Sequence, residues 1–128
     1  MKANEFVIEM GDKPGELAKI CDILGRNQVN IKAITTDRQG GQTFLRILVD
    51  KNDKAREALE AKDSIFTENE VIVKTLIDKP NALMEVARKL GAAGVNIDAI
   101  YILNKGGDKV NVVFALDNPQ KGADILKD

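Results

Sequence analysis

Histidine is absent from the 128 residues, and Cys21 is the only cysteine. Those two absences exclude Cys/His zinc sites, disulfide frameworks and any nucleophile that relies on a neighbouring imidazole. An excess of charge of one sign is also lacking. Lys and Arg number 19 against 20 Asp and Glu, a formal net charge of −1. No basic field stands ready for a phosphate backbone or an anionic bilayer, so neither nucleic acid nor a membrane is an expected partner. There is no long apolar run and no cationic leader followed by an apolar core, which predicts neither a spanning helix nor a secretory signal. The default compartment is cytoplasmic. At this length little surface is buried per residue, so two small halves would have to lean on one another.

What is present is a repeat. "DKPGELAKI" begins at Asp12 and "DKPNALMEV" at Asp78. A shift of 66 residues lays Leu17 on Leu83, Leu24-Gly25 on Leu90-Gly91 and Val29-Asn30-Ile31 on Val95-Asn96-Ile97. The match runs without a gap to Gly40-Gly41 on Gly106-Gly107, after which one extra residue lets "LRILVD" meet "VVFALD". Such self-similarity marks an internal duplication.

Each copy has the same grammar. A β-rich run ("EFVIEM", "VIVKTLI") leads into Asp-Lys-Pro, and proline suits the first helical turn, where its missing N–H costs nothing. Leu17, Ile20, Cys21 and Leu24, like Leu83, Val86, Ala87 and Leu90, follow the i, i+3, i+4, i+7 spacing of a one-sided helix. On that stripe Cys21 is expected to be a small core residue. Gly25 and Gly94 are candidates for the left-handed residue that closes a helix. "VNIKAITT" and "VNIDAIYIL" then pass through a Gly-Gly turn to "TFLRILVD" and "KVNVVFALD", which predicts β-hairpins. "DKAREALEA" and "PQKGADILKD" supply second helices.

The order predicts an α+β protein of two ferredoxin-like βαββαβ units side by side, with helices on one face of a continuous antiparallel sheet. The boundaries fall at residues 1–69 and 70–128. The first copy's last strand is expected in "SIFTENE", running into the second copy's first. The second copy lacks its own last strand, which leaves a sheet edge to be covered. Apolar residues at both parities, such as Ile34 beside Ala33, Ile100 and Ile102 beside Ala99, and Val112 beside Val113, predict that the face away from the helices is covered too. A homodimer or a partner enzyme would cover it.

The two runs "DKPGELAKICDILGRNQVNIKAI" and "DKPNALMEVARKLGAAGVNIDAI" resemble the ACT domain family, regulatory modules that usually bind amino acids or related small molecules. The resemblance covers nearly the whole chain. It implies an arrangement in which copies join edge to edge through their second strands, with ligand sites at the seam. One implied site combines Asp12, Lys13, Pro14, Gly15, Glu16 and Leu17 with Val95, Asn96 and Ile97. The second, weaker site combines Asp78, Asn81, Ala82 and Leu83 with Val29, Asn30 and Ile31. No catalytic residue, metal or cofactor is implied.

Chemistry supports that assignment independently. An amino acid carries a carboxylate and an ammonium close together. A helix start offers free N–H groups and a favourable dipole for the first, and Asp12 or Asp78 an anion for the second. The amides of Asn30 and Asn96 donate and accept at once. The same residues also have an ordinary structural use, since Asp-x-Pro with a following acid starts many helices and Asn bonds local backbone. Asparagine tolerates left-handed backbone, so Asn81 is expected to keep the turn that Gly15 makes while filling space that Gly15 leaves open. The Gly15 junction is therefore expected to be the better site. The alternative function is a ligand-free interaction or dimerisation module docking on a metabolic enzyme. Scattered acidic residues with no acid/base pair argue against an enzyme.

Overall fold

The computed structural model describes residues 1–127; Asp128, the last residue of the second expected domain, lies outside the described residues. Ten elements follow one another: β1 (Lys2–Met10), α1 (Glu16–Arg26), β2 (Ile31–Gln39), β3 (Gln42–Val49), α2 (Asn52–Ala61), β4 (Phe66–Ile77), α3 (Ala82–Ala92), β5 (Ile97–Gly106), β6 (Lys109–Leu116) and α4 (Pro119–Leu126). The chain divides into two units, one of Asn4–Asn69 and one of Met1–Ala3 with the residues from Glu70 onward. The α+β, ferredoxin-like architecture expected from the repeat is present in both.

In the 4–69 unit the strand order is β2-β3-β1-β4, and in the other β1-β4-β6-β5, because β1 and β4 have residues in each. β4 is one 12-residue strand, so the last strand of the first copy runs without a break into the first strand of the second. The edge left open in the second copy is taken by Met1–Ala3. The Val73 N–H donates to the Met1 carbonyl at 2.7 Å, and Lys2 Nζ stands 3.7 Å from Glu70 Oε1. Each second strand, β2 and β5, is an edge strand paired with β3 or β6 alone.

Period-two alternation builds each core. Phe6 and Ile8 of β1 and Leu45 and Ile47 of β3 face the same side, where Ile20 and Leu24 of α1 and Ala55 and Leu59 of α2 close over them. In the other unit Ile72, Val112 and Phe114 meet Val86 and Leu90 of α3 and Leu126 of α4. Burying these side chains contributes about 1.5–3 kcal/mol apiece before conformational entropy is charged against it.

Three expectations need correction. Cys21 is exposed: the buried stripe of α1 is Ile20 and Leu24, and a residue one step on lies about 100° round the helix, on its flank. Pro14 and Pro80 sit in the turns before the helices, which begin after Gly15 and Asn81. Gly25 is inside α1, and the left-handed residue after that helix is Gln28, at φ 60, matching Gly94 at φ 76. Of the apolar residues found at both parities, Ile34, Ile100 and Ile102 pair with Ile47, Phe114 and Val112 and so lie on the helix side.

Candidate functional site

Both helix starts are built the same way. The N-cap residues Gly15 and Asn81 have φ 93 and φ 76, each left-handed, and neither helix receives a side-chain cap. Asn81 thus reproduces the Gly15 turn, at a cost that asparagine bears better than most residues. In α1 the Lys19 N–H reaches the Gly15 carbonyl and the Glu16 N–H the Lys13 carbonyl, which leaves the N–H groups of Leu17 and Ala18 without an acceptor among the described residues. In α3 the Glu85 and Ala82 N–H groups are engaged likewise, and those of Leu83 and Met84 are left. Two unpaired donors at the positive end of a helix dipole favour a negative charge.

Acidic residues flank both starts, and neither caps a helix. Asp12 Oδ2 accepts from Arg38 Nη2 at 2.7 Å, and Asp78 Oδ2 lies 3.4 Å from Lys105 Nζ. Arg38 and Lys105 occupy equivalent places, opposite Thr43 and Val110 on the neighbouring strand. The extra residue of the second copy therefore falls at the irregularity between Ile102 and Asn104 of β5, before the Gly-Gly turn rather than after it. Within the first site the Glu16 carboxyl is held below its usual range by a hydrogen bond from Lys19, then by the Lys19 charge and the Gly11 N–H.

The Val-Asn-Ile entries are also matched. Val29 and Val95 are core residues. The Asn30 N–H donates to Asp50 Oδ1 at 2.9 Å and its carbonyl accepts from the Asp50 N–H at 3.1 Å. Asn96 repeats this with Asp117, at 3.0 and 3.1 Å. The backbone of each asparagine is locked, while both residues are exposed and their side-chain amides bond to no described residue. Asp50 and Asp117 were missed as site residues, although their recurrence at the ends of "LRILVD" and "VVFALD" marks them.

A cavity of about 270 Å³ opens beside the second junction, the one ranked weaker on sequence. Asp78, Lys79, Ala82 and Leu83 border it from the junction, Ile100, Ile102 and Lys105 from β5, and Val110 and Val112 from β6. Its outer walls are apolar and exposed, with Ile77 at 52%, Leu83 at 46% and Ile102 at 55%. The sequence shows these as residues at helical or strand spacing and gives no sign that they remain uncovered. Among the described residues no three His, Cys, Asp or Glu side chains converge to hold a metal, and no helix is long and apolar enough to cross a membrane.

The model of the ACT domain matches residues 5–66, the span from β1 into the first residue of β4. Residues 5–66 are an ACT domain. The second repeat carries the ACT pattern by internal duplication. No curated protein matches the chain. Among solved structures, protein BT0572 from Bacteroides thetaiotaomicron is similar at 28% identity and TM-score 0.88, over 99% of this chain and 88% of that one. The regulatory subunits of aspartate kinase from Thermus thermophilus and Thermus flavus share the fold at 18% and 16% identity, with TM-scores of 0.64 and 0.62. They are covered over 89% and 90% of their lengths, against 97% and 98% of this chain.

Proposed function

We propose that this ACT protein is a regulatory sensor that binds an amino acid and catalyses nothing. One observation carries the proposal: two helix starts, each entered through a left-handed residue, each with two unpaired N–H donors beside an acidic residue clamped by a cation. A zwitterion matches that arrangement, its carboxylate at the helix start and its ammonium at Asp12 or Asp78. The fold shared with regulatory subunits of aspartate kinase supports a regulatory role. A ligand of roughly seven to ten heavy atoms gains about 5–7 kcal/mol, a dissociation constant of about ten to a few hundred micromolar, which suits a changing metabolite pool.

Asp12–Leu17 and Asp78–Leu83 are offered as the two junctions, with Val29–Ile31 and Val95–Ile97 as their second walls. A thermal-shift panel of the proteinogenic amino acids tests this: a ligand at about 100 times its dissociation constant adds about 2.7 kcal/mol. Gly15→Asn should weaken one site only, and Asn30→Ala and Asn96→Ala, each scored at both junctions, show which wall serves which. A second reading, a ligand-free module that docks on a second copy or a metabolic enzyme, draws on the exposed Ile34, Ile100 and Ile102. A panel in which no amino acid shifts the melting point would sink the sensor and leave that module.

A further inference from the structure

The two junctions match in backbone and in charge, yet their surroundings differ. Where the second has Ile77, Ile102 and Val110, the first has Gly11, Thr36 and Thr43. Three wall positions thus change from small or hydroxylated to aliphatic. All three second-repeat residues border the 270 Å³ cavity, which the Asp78 and Lys105 side chains close at its charged rim. This volume is slightly below the usual range for drug-sized ligands, about 300–1,000 Å³, and suits a molecule with the dimensions of one amino acid.

We infer that the cavity beside Asp78 takes an α-amino acid with an aliphatic side chain. The inference rests on the sensor reading and narrows its ligand at this junction. The Asp78–Lys105 pair is exposed and loosely set, so both ends are available to a zwitterion: the ammonium goes to Asp78, and the carboxylate to Lys105 with the free N–H groups of Leu83 and Met84. The side chain then covers Ile77 and Ile102, which are otherwise open to water, and rests against the buried Val110. A polar side chain would lose hydration there and find no partner, since those walls offer no donor or acceptor from their side chains. Each methylene lost from such contacts costs about tenfold or more, so the longer aliphatic side chains are favoured over alanine.

The test is an amide-resolved NMR titration of the full chain with leucine, isoleucine, valine, alanine, serine, aspartate and lysine. Leucine, isoleucine or valine should move the Leu83 and Met84 amides and bind at least tenfold more tightly than alanine. 4-Methylpentanoate and isoamylamine, each lacking one end of leucine's zwitterion, should bind at least tenfold more weakly than leucine. The double variant Ile102→Thr with Val110→Thr, which copies the first repeat, should weaken leucine at least tenfold while the Leu17 and Ala18 amides keep their positions. Ile102→Thr alone, at an exposed site, gives the same direction if the double variant does not fold. If only polar amino acids bind, or leucine acts at Leu17 and Ala18 alone, or the variants change nothing, the inference is overturned and the sensor stands. If no amino acid binds at all, both fall.

Discussion

The two repeats keep the same turn and change the packing chemistry farther from it. Gly15 and Asn81 share left-handed backbone, and Asp12–Arg38 and Asp78–Lys105 are the same clamp built with different cations. Away from the turn, identical positions are filled by unlike chemistry. Glu5 and Arg46 form a buried ion pair at 2.8 Å on adjacent strands, with side chains 0% and 13% exposed. The equivalent positions hold Val71 and Val113, both fully buried. Backbone that a helix start requires tolerates few residues, whereas a buried pair needs only to satisfy itself, by charge or by packing.

That contrast is sharpest under truncation. Arg46→Ala leaves the buried Glu5 carboxylate without its guanidinium and is expected to cost about 3–5 kcal/mol. Val113→Ala removes two methyl groups from the matching place and is expected to cost about 2 kcal/mol. Urea denaturation of both variants measures the difference, and an Arg46 variant no less stable than the Val113 one breaks the comparison. Replacing Glu5 and Arg46 together with valine should be close to neutral, because an apolar pair carries no desolvation penalty.

Edges differ as well. The first repeat finishes with residues of β4, while the second uses Met1–Ala3, at the opposite end of the chain. Deleting Met1–Ala3 should cost about 2 kcal/mol, the worth of one or two strand hydrogen bonds and some packing. Hydrogen exchange should accelerate at Val73 and leave the β1–β3 ladder, from Phe6 to Met10, protected. Equal loss of protection at both places would mean that the first strand does not divide its service as the hydrogen bonds indicate.

Sequence alone went far with the fold because duplication reports each element twice. The helices and the hairpins follow from strings that recur in register, and the 12-residue β4 from the place where the two copies meet. Three kinds of fact were hidden. Cys21 lies one step off the buried stripe, and a helix of 11 residues with five or six apolar positions leaves its rotation open by that much. The cavity was hidden because Ile77, Ile100 and Ile102 read as ordinary strand residues, and only the extent of packing shows that they stay uncovered. Arg38 and Lys105 escaped notice for a third reason: the β5 irregularity shifts the second copy by one residue, and the alignment places Asn104 rather than Lys105 opposite Arg38.

Paired volume changes mark the second helices. Val49 and Ala55 in the first repeat correspond to Leu116 and Gly122 in the second, so a larger strand residue faces a smaller helix residue. A Cβ on Gly122 would run into Leu116 Cδ1. Gly122→Ala should therefore destabilise by about 1–2 kcal/mol, the overpacking exceeding the roughly 1 kcal/mol that alanine gains in a helix. Adding Leu116→Val should recover most of the loss, a coupling that thermal denaturation of the two singles and the double detects. Simple additivity of the two would mean that the volumes are not exchanged.

The smallest expected difference depends on pH. In the first repeat Arg56 of α2 holds Glu68 of β4 with two bonds, Nε to Oε1 at 2.7 Å and Nη2 to Oε2 at 2.9 Å, and Asn4 Nδ2 adds a third at 2.9 Å. Ala123 stands where the second repeat would need the arginine, so no such clamp is possible there. The Arg56 hydrogen bonds hold the Glu68 carboxyl below its ordinary value of 4.5, and the guanidinium is raised in turn and stays charged. A carboxylate depressed in the folded state stabilises fully above its unfolded value and loses that contribution as pH falls through the folded one. With Arg56 partly exposed, the contribution is about 1 kcal/mol. Wild type should therefore exceed Glu68→Gln in stability at pH 7 by about that amount, with the gap closing below pH of about 4.5 as the carboxyl takes up its proton. Amide exchange should place the change in α2 and leave α4 unmoved, and a gap that stays constant with pH would assign Glu68 a packing role in place of an electrostatic one.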